Sequence, residues 1–207
     1  MYARVIRIGG SPSKIDEGVD AFINQAAPRA KTQDGYSGIR LLINRDSGRA
    51  IVVGFWRDQA ALDASREALR GLRESQAAIW GSGPPEIEEF EAAVQHRPKS
   101  TDKGNWARLT TLQGDPAKVD EGIKHFESVT IPGIEKLSGF RAAILLVNRG
   151  NGGALVATVW DSKSELDSSA DAATPVRSAA AEVLGAGRPQ VESFEVAYAE
   201  LLAPVAS

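Results

Sequence analysis

Residues 9–22, GGSPSKIDEGVDAF, are written a second time with small changes at residues 113–126, QGDPAKVDEGIKHF. The likeness extends well beyond that stretch. Residues 3–94 align on 107–198 without a gap, and roughly one pair in three is identical. Gly10, Pro12, Lys14, Asp16, Glu17, Gly18 and Phe22 recur as Gly114, Pro116, Lys118, Asp120, Glu121, Gly122 and Phe126. Two copies are too few for a solenoid, so the repeat predicts a duplicated, self-contained unit. The polar, turn-rich QHRPKSTDKGN stretch separates the copies. The expected layout is a first unit over 1–95, a linker over 96–104, a second unit over 105–200 and a tail over 201–207.

Each copy reads β-α-β-β-α-β. ARVIRI (3–8) is a short strand. Ser11 or Asp115 can cap the helix that follows, with Pro12 or Pro116 in its first turn. Ile15, Val19, Phe22 and Ile23 share one face at helical spacing, and Pro28 and Pro132 should limit this helix. GIRLLIN (38–44) and AIVVGFW (50–56) form a hairpin, with glycine in the turn. Asp58 and Ser162 can cap the second helix, and Ser162 with Glu165 makes a capping-box pattern. Pro175 should start a new helical piece. EIEEFEAAV (86–94) and QVESFEVAY (190–198) are the last strands. A four-stranded antiparallel sheet with both helices on one face results. The strands are too apolar to leave the other face in water, and AILLV (143–147) has no polar side at all. The fold class is therefore α+β, with the two sheets packed against each other within one chain.

Twenty-four basic residues face 27 acidic ones, a net charge of −3. That balance argues against a nucleic-acid partner, which needs a basic field. With no cysteine in the chain, disulfides and thiolate chemistry are excluded. No apolar run reaches membrane-spanning length, and MYARVIRIGG lacks the apolar core of a secretion signal. A cytoplasmic protein without membrane contact is the expectation. No metal-ligand cluster, nucleophile elbow or phosphate loop is present in the text.

The hairpin ends in tryptophan before helix-opening text, FWRDQAAL (55–62) and VWDSKSEL (159–166), and a FEV-like last strand follows. In these features the chain resembles the antibiotic biosynthesis monooxygenase superfamily of dimeric α/β-barrels, in its tandem, fused-dimer form. The resemblance covers nearly the whole chain and implies two ferredoxin-like units forming an intrachain barrel. It also implies a cofactor-independent monooxygenase-like protein that acts on or binds a small aromatic or other organic molecule, with no cofactor and no metal. A non-catalytic binder or an interaction protein of the same fold is the alternative. The superfamily's haem-degrading branch carries an asparagine on the first strand and a tryptophan and a histidine in the second helix. Here those places fall at Arg4 or Arg7, near Ser65 and near Ser75, so that activity is not implied. A homodimer through helices or edge strands stays open.

Six residues stand out as substrate-binding candidates. Arg4 and Arg108 occupy equivalent places on the first strand, where a buried cation needs a partner. The partner is either an anionic substrate or a glutamate of the last strand, among Glu88, Glu91, Glu192 and Glu195. Arg40, Tyr36 and Trp80 have no polar counterpart in the second copy, where Ile144, Phe140 and Leu184 stand. With Trp56 they make the first unit the better pocket candidate. Trp56 and Trp160 also suit packing at the sheet–helix junction. Trp80 in the core, with Arg40 reaching water along its flexible stem, is the structural reading of those residues. Asn44 and Asn148 suit turn geometry, and Asp16-Glu17 and Asp120-Glu121 suit a helix N-terminus.

Overall fold

The computed structural model describes residues 1–201. In chain order the elements are β1 (Tyr2–Gly9), α1 (Ile15–Ala21), α2 (Ala27–Lys31), β2 (Tyr36–Asn44), β3 (Arg49–Trp56), α3 (Gln59–Ala68), α4 (Arg70–Ile79) and β4 (Glu86–His96). The second copy supplies β5 (Trp106–Gln113), α5 (Val119–His125), α6 (Ile131–Ile134), β6 (Phe140–Asn148), β7 (Gly153–Trp160), α7 (Lys163–Ser168), α8 (Ala170–Val183) and β8 (Gln190–Leu201). Hydrogen bonding joins the strands in the closed-barrel order β1-β3-β2-β8-β5-β7-β6-β4. Close contacts divide the chain into Met1–Phe90 with the end of β8 from Val196, and Glu91–Glu195. The expected boundaries at 95 and 105 fall near the end of β4 and the start of β5. Of the expected tail, all but Leu201 lies outside the described residues. No helix among the described residues is long and apolar enough to cross a membrane.

In the first unit β3 lies between β1 and β2, antiparallel to both, with Val53 opposite Val5 on one side and Arg40 on the other. Ile39, Leu41 and Ile43 turn the same side of β2 toward the helices. There they join Ile15, Phe22, Leu62 and Trp80 in one core. The second unit repeats this plan, with β7 between β5 and β6. Its core includes Phe126, Leu145, Trp160 and Leu184.

The repeated DEG text has a packing reason. A Cβ on Gly18 would stand 2.3 Å from the Trp80 ring, and one on Gly122 would stand 2.4 Å from Leu184 Cδ2. The residue that caps α4 or α8, Trp80 or Leu184, thus rests on bare backbone of α1 or α5. The acidic residues before each glycine are partnered from the hairpin loop: Arg45 Nη1 donates to Asp16 at 2.8 Å, and Arg149 Nη1 to Asp120 at 2.7 Å. Asn44 and Asn148 accept loop amides through their side chains.

Helix ends follow the text in part. Asp58 accepts from the Ala61 amide, Ser162 from Glu165 and Asp115 from Ala117, whereas Ser11 makes no side-chain cap. Pro28 and Pro132 do not end the helix. Each is preceded by a π turn, Phe22–Ala26 or Phe126–Thr130, and helix resumes through the proline. In the first of these the Ala27 amide donates to the Phe22 carbonyl, five residues back. The wider turn relieves the clash an α-helix would impose between the proline ring and the carbonyl four residues earlier. Pro175 likewise starts nothing. It sits inside α8, and the break comes earlier, at Ser169.

Gly18→Ala should lower stability by about 2 kcal/mol, overpacking against Trp80 outweighing the better helix propensity of alanine. Urea unfolding measures it, and the loss should shrink in a Trp80→Ala background. An equal loss in both backgrounds would place the cost elsewhere.

Candidate functional site

A cavity opens between sheet and helices within the first unit. Its sheet wall is Arg4, Ile6 and Ile8 from β1, Ile39 from β2, and Val52, Gly54 and Trp56 from β3. Phe22, Ala26 and Ala30 line it from the first helix, and Leu69, Leu72, Arg73, Gln76 and Trp80 from α4 and its ends. The cavity volume is about 60 Å³, room for several waters or one small ring system.

Three side chains in this mostly apolar wall have unsatisfied polar atoms. The Trp56 indole nitrogen, both amide atoms of Gln76 and Arg73 Nη1 are buried without a hydrogen-bond partner. Trp56 is 3% exposed and Gln76 5%. Each orphaned buried group costs about 1–3 kcal/mol. Gly54 explains the indole. The Trp56 ring folds over it so closely that a Cβ there would lie 2.5 Å away. In the second unit the equivalent residue is Thr158, whose Oγ1 accepts from Trp160 Nε1 at 3.0 Å. The same tryptophan is satisfied in one copy and left open in the other. Ala26 and Ala30 are likewise Thr130 and Ile134 in the second copy, and Gln76 is Ala180.

Arg4 is 1% exposed and fully engaged. Its Nε and Nη2 donate to Glu89 Oε1 at 3.0 and 2.7 Å, Nη1 donates to Ser65 Oγ, and Nη2 also donates to the Leu62 carbonyl. The guanidinium lies 5.2 Å from the centroid of the Trp56 ring. The partner is thus Glu89, whereas Glu88 takes Arg7. Alternation along β4 separates the two glutamates. Burial pushes the Glu89 carboxyl up, but hydrogen bonds from Arg66 and Arg4 outweigh it and hold the group below its usual range. Burial, and then the Arg4 charge, pull Arg73 down.

Of the six sequence candidates, Trp56, Trp80 and Arg4 line this cavity, and Arg40, Tyr36 and Arg108 do not. Arg40 alternates with Ile39 and Leu41 on β2, so it points to the opposite sheet face. There it is 3% exposed and does not reach water. Tyr36 lies at the start of β2, its hydroxyl buried and its pKa raised by burial and by the charges of Glu200 and Tyr198. Arg108 belongs to the second unit and bonds Ser169 and the Leu166 carbonyl, with no carboxylate partner among the described residues. Sequence reasoning missed Gln76, Arg73 and Gly54. Comparing the copies at Gly54/Thr158 and Gln76/Ala180 carries the signal for two of them. Among the described residues no group of three or more His, Asp or Glu side chains is placed to hold a metal.

This plan, two sheet-and-helix units with a cavity under the helices, has relatives. The family model for antibiotic biosynthesis monooxygenase matches residues 1–79. The uncharacterised protein Rv2557 of Mycobacterium tuberculosis is 32% identical over 204 residues, covering 99% of this chain and 91% of that one. A provisionally named monooxygenase from Fusobacterium nucleatum superposes with a TM-score of 0.71 at 12% identity, covering 97% of this chain and 94% of the other. An anthrone oxidase-like protein does so at 0.68 and 17% identity, over 97% and 93%. The chain belongs to one family with Rv2557, its residues 1–79 match the antibiotic biosynthesis monooxygenase model, and the likeness to the solved structures shows a shared fold.

Because Glu89 is held below its usual range, its contribution to stability is present above about pH 4.5 and is lost as pH falls through its folded value. Glu89→Gln should cost about 2 kcal/mol at pH 7, discounted from a fully buried pair because Glu89 is 25% exposed. The gap to the parent should close on acidification, read from denaturation midpoints between pH 7 and pH 3. A gap that is constant with pH would show that the ion pair is not what stabilises.

Proposed function

We propose that the first-unit cavity binds a small, mostly apolar organic molecule carrying an acidic hydroxyl or a carbonyl, and that the protein is a cofactor-independent oxygenase of such a molecule. The observation that carries this reading is the pair Trp56 and Gln76, buried polar groups with no partner in an apolar wall. A ligand oxygen accepting from the indole and from Gln76 Nε2 would satisfy both donors. Arg73 adds a half-buried cation whose charge is disfavoured by burial and by Arg4. A phenolate or enolate would relieve that. The family and the likeness to an anthrone oxidase-like structure support the oxygenase chemistry.

The chemistry balances without a further redox group. An ionised phenol or enol supplies the electrons to O₂. One oxygen atom ends as a new carbonyl where a C–H₂ stood, and the other leaves as water. The residues' share is to hold the anion, orient its reacting carbon and exclude water. Trp56, Trp80, Arg4, Arg73 and Gln76 are the residues assigned to this site. One feature favours a second reading, binding without turnover: the lining contains no carboxylate or imidazole to take the substrate proton.

Titration with 1-naphthol and naphthalene tests the site. The parent should bind the naphthol roughly tenfold more tightly, and Gln76→Leu should erase the difference. Ala30→Ile, which copies the second unit, should weaken both. Equal affinity of the parent for the two ligands would remove the polar anchor. Oxygen uptake with bound naphthol separates the readings: uptake supports the oxygenase, and tight binding without uptake supports the binder.

A further inference from the structure

The second unit keeps Arg4 and Arg73 as Arg108 and Arg177, but it has Ala170 in place of Arg66 and Ser193 in place of Glu89, the carboxylate that Arg4 and Arg66 share. Arg108 is 5% exposed. Neutral groups hold it: Nη1 donates to Ser169 Oγ at 2.9 Å, Nη2 donates to the Leu166 carbonyl, and the guanidinium lies 5.8 Å from the Trp160 ring centroid. Ser193 stands directly opposite Arg108 across the β5–β8 ladder, where the first copy has Glu89. Arg177, the counterpart of Arg73, donates Nη2 to Thr174 Oγ1 at 2.7 Å, and its Nη1 is buried without a partner. Among the described residues neither arginine has an ion pair. Asp167, the acidic group that acts on Arg108, is itself bonded to Lys163.

Two neighbouring cations, one buried and one partly buried, with no carboxylate bonded to either are costly. Burial, and then the Arg177 charge, bring Arg108 down to about 10, which still leaves it charged at neutral pH. The first unit shows what fits the equivalent place: the carboxylate of Glu89, accepting two hydrogen bonds from Arg4.

We propose that Arg108 and Arg177 form a binding site for a small oxyanion, a carboxylate or a phosphate or sulfate group, which gives Arg108 the counter-charge that Glu89 gives Arg4. The site is separate from the first-unit cavity. Its ligand is held by charge and hydrogen bonds.

Calorimetric titration of the full chain with acetate and with inorganic phosphate, at constant ionic strength set with chloride, tests this. The parent should bind at least one of the two at one site per chain. Ser193→Glu, which restores a carboxylate opposite Arg108, should abolish that binding and melt no lower than the parent in chloride. Arg177→Gln should weaken it roughly tenfold and decides the matter if Ser193→Glu does not fold. Binding of acetate alone assigns the site to organic acids, and binding of phosphate alone to inorganic or ester phosphate. Absence of binding to the parent at tens of millimolar, or parent-like binding by Arg177→Gln, would overturn the proposal. General stabilisation by excluded salts would be equal in all three chains.

Discussion

A buried arginine on the first strand governs both halves of this chain. A guanidinium cannot be neutralised by losing its proton at working pH, so the fold must bring partners to it. Arg4 and Arg108 both reach across to the second helix, to a serine hydroxyl and a carbonyl three residues before it. Those bonds fix where α3 and α7 sit on the sheet and explain why Ser65 recurs as Ser169. They also hold the guanidinium over the closing tryptophan of the hairpin. The charge itself is answered by Glu89 in the first unit only.

Around that shared frame the copies diverge by volume. Gly54, Ala26 and Ala30 leave space that Thr158, Thr130 and Ile134 take up. Losing a methyl group from a packed wall costs stability, and that cost is unrewarded unless something else occupies the space. The first unit carries both the space and orphaned polar atoms beside it. The second satisfies its tryptophan internally through Thr158.

Much of the fold is legible because it rests on local chemistry. Short apolar runs bounded by turn residues mark the strands, Asp58 and Ser162 mark helix starts, and the ungapped self-alignment marks the duplication. What misleads is where local rules meet tertiary packing. Pro28 and Pro132 read as stops, yet the chain widens one turn and continues. Arg40 reads as a pocket residue because it differs between copies, but strand alternation turns it away, and one residue of register decides that. Trp56 and Trp80 are legible as large aromatics at element ends. Gln76 is a single polar residue in an ordinary amphipathic helix, so only its missing hydrogen bonds mark it.

The π turn before Pro28 amounts to one extra residue wound into the helix, and it sets the clock position of everything after it. Take that residue out and the α pitch would return, rotating the following turn by about 100°. Ala27 and Lys31 would then face the cavity where Ala26 and Ala30 stand. The smooth wall would gain an ammonium group that, as folded, is paired with Glu200 on the rim of β8. Length in this segment is therefore as consequential as composition: a substitution at Pro28 changes one contact, whereas a deletion beside it exchanges a whole face of the helix.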